Sequence, residues 1–175
     1  MFIYVVKANN LEHARDAIVE QVISKSDMHA FATSEEISDP ASNAIDGNEN
    51  NMWHTKWNGS DKLPQSISIN FKEKKNISSI AITPRKSGSN GFITKYEVYA
   101  INDGIETLIK KGDLEESSSI KTISFEKPIY AEGIKIKAIE VTNGFASIAE
   151  LNFYENIGQI DKMVNYENLK ITKEE

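Results

Sequence analysis

The chain has 175 residues, 39% of them hydrophobic and 26% charged, with a net charge of −6. That length suits one domain with a small attachment, and its core needs neither metal nor disulfide to hold. The acidic balance argues against nucleic acid and against anionic membrane surfaces, which both call for clustered cations; the absence of cysteine excludes disulfides and thiolate metal sites.

Residues 1–27 differ in texture from the rest of the chain. Phe2 to Val6 reads as a short strand. Asn10 is placed to cap a helix from Leu11 to about Ile23, with Leu11, Ala14, Ile18 and Val22 near one face. This segment is expected to be a strand-plus-helix extension or linker. No apolar run approaches the roughly 20 residues of a membrane span. The start carries no basic n-region or cleavage site, so the chain is expected to be cytoplasmic or a module of a longer exported protein.

From 28 to 155 the pattern changes to short strands between polar turns. Gln65 to Phe71 alternates, with Ile67, Ile69 and Phe71 on one face. Ile77 to Ile82 and Ile93 to Ile101 come next, and Asn102-Asp103-Gly104 is a turn signal. Further strands are predicted at Glu106 to Lys110, Ile120 to Phe125, Ile134 to Val141 and Ala149 to Tyr154. Many short strands without βαβ alternation predict an all-β antiparallel sandwich or barrel. The charged tail, 156–175, reads as a tail or linker.

Three stretches carry chemistry. Asp46-Gly47-Asn48-Glu49-Asn50-Asn51-Met52-Trp53-His54-Thr55-Lys56-Trp57 gathers oxygen ligands, a histidine and two tryptophans. Asp46, Asn48 and Asn51 offer hard-cation oxygens on a glycine turn, but taken alone they are better read as a solvated Asx-rich turn. Pro84-Arg85-Lys86-Ser87-Gly88-Ser89-Asn90-Gly91 lies between two strands. Its Arg85 fork and Asn90 amide can meet ring hydroxyls, or form an ordinary turn. In Asn143-Gly144-Phe145-Ala146-Ser147-Ile148-Ala149-Glu150, Phe145 either stacks on a sugar face or folds into the core.

Taken together with Ala32-Thr33-Ser34-Glu35, Pro40-Ala41-Ser42-Asn43-Ala44-Ile45, Lys95-Tyr96-Glu97-Val98-Tyr99 and Ala149-Glu150-Leu151, these stretches form one co-linear pattern. The chain resembles the discoidin or coagulation-factor type C (F5/8 type C) domains, and within them carbohydrate-binding module family 32. The resemblance implies a jelly-roll-like antiparallel β-sandwich with a binding site on the loops at one end. It implies that His54, Arg85 and Asn90 grip galactose or N-acetylgalactosamine while Phe145 stacks on the ring, with Trp57 flanking and Glu35 as an acidic contact. It also implies a structural calcium ion on Asp46, Asn48, Asn51, Glu150 and the carbonyls of Asn43 and Ala149; relatives usually carry threonine where Asn51 stands.

The implied role is non-catalytic: a monomeric module that targets an attached glycan-active enzyme to galactose-bearing glycans, secreted or at the cell surface. As an enzyme the chain offers only the pairs Glu35 with Glu36 and Asp46 with Glu150. The second pair is better explained as cation ligands, and no metalloprotease helix, nucleophile elbow or P-loop is present. The alternative is a protein- or membrane-adhesion domain of the same family. Phe92 and Phe145 would then be apolar spikes, but the loops are not strongly basic and the acidic balance disfavours it.

Overall fold

A computed structural model of the chain describes residues 4–7, 18–58 and 61–159. Its strands are β1 (Tyr4–Lys7), β2 (Ile18–Val22), β3 (Met28–Ala32), β4 (Trp53–His54), β5 (Gln65–Thr83), β6 (Ile93–Asn102), β7 (Ile105–Asp113), β8 (Lys121–Val141), β9 (Ser147–Ile148) and β10 (Glu150–Gln159). Their pairings are antiparallel throughout.

Two long strands organise the molecule. β5 and β8 pair from Gln65↔Ala138 to Ile82↔Lys121, but their register shifts between Asn70 and Lys75. The sequence there is Lys72-Glu73-Lys74-Lys75-Asn76, a polar run that has no core to enter. Opposite it, Gly133 sits so close that an added Cβ would stand 2.8 Å from Asn70 Oδ1 and 2.9 Å from the Ile69 carbonyl. Bulges of this kind bend a strand and sharpen its twist. On one side of the bend, β3, β6 and β7 extend the sheet; on the other, β10, β2 and β1 do. One strand pair thus serves both layers of a sandwich.

The inner faces follow from alternation. Ile67, Ile69, Ile134 and Ile136 come from one layer, and Ile80, Ile123, Leu151 and Phe153 from the other; all are essentially fully buried. Phe71 and Phe153 meet edge-on at 5.3 Å, a favoured aromatic geometry. The turn after β6 is as expected: Asp103 and Gly104 both adopt positive φ, 51° and 75°, as a two-residue hairpin loop demands.

The all-β antiparallel reading holds, with two corrections. The predicted strands Gln65 to Phe71 and Ile77 to Ile82 are one bent strand, as are Ile120 to Phe125 and Ile134 to Val141. The predicted helix is overturned at its C-terminal end, where β2 is a strand; Asn10 and the helix positions before Ile18 lie outside the described residues. Three of its five residues, Ile18, Val19 and Val22, are β-branched. The free edge of β10 completes their hydrogen bonds, in register Tyr154↔Val22 and Glu155↔Gln21. Ile23 then enters the core at 4% exposure, its N–H donating to the Phe153 carbonyl at 2.9 Å. Residues 18–27, read as extension, are therefore bonded to the sheet.

Candidate functional site

Short backbone ladders bring the loops together. β4 pairs with β9 as Trp53↔Ile148 and His54↔Ser147. Thr55 extends this ladder: its N–H donates to the Ala146 carbonyl at 3.0 Å, and its hydroxyl accepts from the Ala146 N–H at 3.1 Å. Phe145, half-buried, is thereby held over His54 with ring centroids 5.4 Å apart. The Trp57 ring also meets His54, edge-on at 6.1 Å, and is 59% exposed.

The two tryptophans, four residues apart, have opposite fates. Trp53 is fully buried and its indole N–H donates to the Ser34 carbonyl at 2.9 Å. Trp57 is out in solvent. A buried ring that satisfies its donor is core; an exposed ring beside a histidine is available to a ligand.

His54 is itself buried at 4% exposure, and its Nδ1 lies 2.5 Å from the Thr55 carbonyl. A carbonyl only accepts, so Nδ1 carries the proton and Nε2 is left as the acceptor of the neutral ring.

Arg85 and Asn90 lie on the loop between β5 and β6. Arg85 Nε donates to the Ser87 carbonyl at 2.6 Å and Nη1 to the Asn90 carbonyl at 3.0 Å. Two of the five N–H groups of a guanidinium are thus used to shape the loop, and the rest remain for a ligand. This loop is stitched to the segment that carries Phe145. Gly91 N–H donates to the Thr142 carbonyl at 3.1 Å, Ser147 N–H to the Gly91 carbonyl at 2.8 Å, and the Thr142 hydroxyl to the Ser89 carbonyl at 2.5 Å. Gly91 is indispensable there, since at φ 88° a Cβ would stand 2.5 Å from Ser147 Oγ. Asn143, at φ 54°, adds a side-chain bond that sequence reasoning missed: its Nδ2 donates to Asn90 Oδ1 at 2.8 Å.

The remaining sugar-site expectations divide. Glu35 is exposed, and one of its carboxylate oxygens closes its own loop by accepting from the Ala41 N–H at 2.8 Å. Phe92, considered as an apolar spike, is buried at 9% exposure under the Thr142 turn.

The oxygen-rich turn is built separately. Asp46 Oδ1 accepts from the Asn48 N–H at 2.8 Å and Oδ2 from Asn51 Nδ2 at 2.7 Å. Asn48 Oδ1 accepts from the N–H and side chain of Asn50, both at 3.1 Å. Glu150, 2% exposed, accepts the Gly47 N–H at 2.9 Å on Oε2 and pairs through Oε1 with Lys25, which also donates to the Leu151 carbonyl. Asn43 Nδ2 donates to the Met52 carbonyl at 3.0 Å, and the Ala149 N–H to the Thr83 carbonyl at 2.9 Å. Asn51 Oδ1 is buried without a hydrogen-bond partner. Among the described residues no three His, Cys, Asp or Glu side chains cluster as a metal site.

Comparison with known proteins converges on one family. A family model described as F5/8 type C domain matches residues 23–151. The family 32 carbohydrate-binding module of Clostridium perfringens NanJ, solved in complex with galactose, is 64% identical with a TM-score of 0.76, over 78% of this chain and 99% of that one. A second C. perfringens family 32 module, solved with GalNAc-β-1,3-galactose, is 39% identical with a TM-score of 0.73, over 75% and 98%. An A type blood N-acetyl-α-D-galactosamine deacetylase of Flavonifractor plautii is 42% identical across 79% of this chain and 19% of its own length. Galactose oxidase of Gibberella zeae is 31% identical, over 79% and 21%. The chain thus spans about a fifth of the curated relatives it matches.

Proposed function

The chain belongs to the F5/8 type C domain family, and on that footing we propose that it is a non-catalytic carbohydrate-binding module taking terminal galactose or N-acetylgalactosamine. The observation that carries the reading is the unequal set of hydrogen-bonding groups on loops tied together beside two aromatic rings. Arg85 can only donate, Asn90 has its oxygen turned to Asn143 and so presents its NH₂, and His54 offers Nε2 as acceptor. An axial 4-hydroxyl that accepts from Arg85 and Asn90 and donates to His54 satisfies all three. The same sugar leaves a broad CH face for Phe145, flanked by Trp57. An equatorial epimer leaves those groups unpaired, which is how a polar site discriminates.

Single-site affinity is expected to be weak, about 4 to 6 kcal/mol or roughly millimolar to tens of micromolar, because the contact is small. The test is a calorimetric titration with galactose, N-acetylgalactosamine and N-acetylglucosamine, alongside Arg85→Ala. Saturable binding of a galacto-sugar that vanishes in the variant supports the site. No binding to any of the three by folded protein refutes it.

We propose that the oxygen-rich turn takes calcium. Its side chains offer hard oxygens, and the buried Asn51 Oδ1, which has no hydrogen-bond partner, is an open acceptor for a cation. Asp46, Asn48, Asn51, Glu150 and the carbonyls of Asn43 and Ala149 would hold the ion. It would brace the first loop against the start of β10; the role is structural.

The sandwich is taken to include residues 18–27 as well as 28–155, since β2 pairs with β10. We propose further that the module acts as a monomer within a longer, exported protein that carries a glycan-active domain. The longer protein is supported by the small share of the deacetylase and oxidase that resembles this chain.

A further inference from the structure

Asn143 is unusual twice over. Its φ of 54° and ψ of 24° put it in the left-handed region, which asparagine tolerates better than most residues, and its exposed side chain lies 2.8 Å from Asn90 rather than in water. The backbone before it is pinned. Thr142 holds the Ser89 carbonyl through its hydroxyl and the Phe92 carbonyl through its N–H, and it accepts the Phe92 N–H on the same hydroxyl at 2.9 Å. The left-handed turn therefore delivers the Asn143 amide to one place, the oxygen of the Asn90 side chain.

We infer that Asn143 is a positioning residue that sets the polarity of the sugar site by holding Asn90 with its NH₂ outward. An asparagine amide presents a donor at one end and an acceptor at the other, nearly isosteric and freely exchanged by a half-turn about χ2. Unheld, Asn90 would offer a mixture of both to a ligand. With Oδ1 turned to Asn143, it presents its NH₂ to the ligand. Beside it, Arg85 is donor-only, so the ligand meets two donors and the single acceptor His54 Nε2. A hydroxyl has one proton to give and two lone pairs to receive, and this set matches it. The inference rests on the galactose reading of the same site.

The test compares two replacements that both tolerate positive φ. Asn143→Gly removes the constraint and leaves Asn90 free to orient. Asn143→Asp can only accept, so it draws the Asn90 NH₂ inward and turns Oδ1 toward the ligand, giving two acceptors against one hydroxyl proton. Calorimetric titration with galactose is expected to show a modest loss in the glycine variant and a loss of about tenfold or more in the aspartate variant. A purely structural role predicts the reverse order, since the glycine also loses the inter-loop bond.

The aspartate also brings a charge near Arg85. Repeating Asn143→Asp on an Asn90→Ala background, with binding read by chemical-shift titration, isolates the route. No further loss on that background is expected if the effect passes through Asn90. Equal affinity of wild type and Asn143→Asp, or an undiminished loss on the Asn90→Ala background, overturns the inference while leaving the sugar site standing. Absence of galactose binding by wild type overturns both.

Discussion

The Asp46 to Asn51 turn and the Arg85 to Gly91 loop are both short, polar and glycine-containing, and both lean on the chain between Thr142 and Leu151. Lys86 and Glu49 even join them, at 3.1 Å. Yet their polar atoms are used differently. In the turn, both oxygens of Asp46 and of Glu150 have partners within the protein, and Asn51 Oδ1 is the atom left over. In the loop, two Arg85 donors and the backbone bonds of Gly91 fix the path, and other side-chain donors remain. A loop is equipped for recognition when its side chains retain hydrogen-bonding capacity after its own shape is satisfied. A loop whose groups satisfy one another is equipped for support.

The largest effect is expected at Gly91, where the recognition loop joins the segment between Thr142 and Ser147. Gly91→Ala places a Cβ against Ser147 at a positive φ. It should destabilise the fold by about 2–4 kcal/mol, lowering the melting temperature by roughly 5–15 °C, and abolish sugar binding as well. A variant with wild-type melting would show that the junction does not support the fold.

Next, Arg85→Ala should cost about 2 kcal/mol of sugar affinity, the worth of hydrogen bonds to a charged donor. Its melting temperature should move little, since the lost loop bonds are exposed. A large fall in melting temperature would place Arg85 among the supporting groups instead.

Lys25→Met probes the turn. It leaves a carboxylate 3% exposed without its cation, at a cost of about 1–2 kcal/mol given that Lys25 is partly solvated. Added calcium should recover more stability in this variant than in wild type, by thermal melting with and without chelator. Equal recovery in both would separate the ion from Glu150. The smallest effect is Trp57→Ala: about 1 kcal/mol of affinity, with stability unchanged because the ring is already exposed.

How much of the molecule is legible in its sequence depends on the range of the interaction. Alternation marks Gln65 to Phe71 and Ile93 to Ile101 because a half-buried strand repeats every second residue. It does not reveal that β5 runs on through Lys72 to Asn76, since a polar run at a bend looks like a loop. β2 reads as helix because its apolar spacing suits either period, and its partner β10 lies about 130 residues away in sequence. His54, Arg85, Asn90 and Phe145 stand out through resemblance; the residues alone allow ordinary turns. The role of Asn143 is hidden because it arises from a left-handed turn. The loop-closing bond of Glu35 to the Ala41 N–H is hidden for the same reason, since it joins residues across a turn.

The sugar site is tested most directly by a two-dimensional ¹H–¹⁵N correlation titration of the protein with galactose. Saturable shifts are expected to cluster on His54, Arg85, Asn90 and the segment from Asn143 to Ala146, with little change along β2 or the β6–β7 hairpin. Saturable shifts centred elsewhere, with that cluster silent, would contradict a galactose site on these loops.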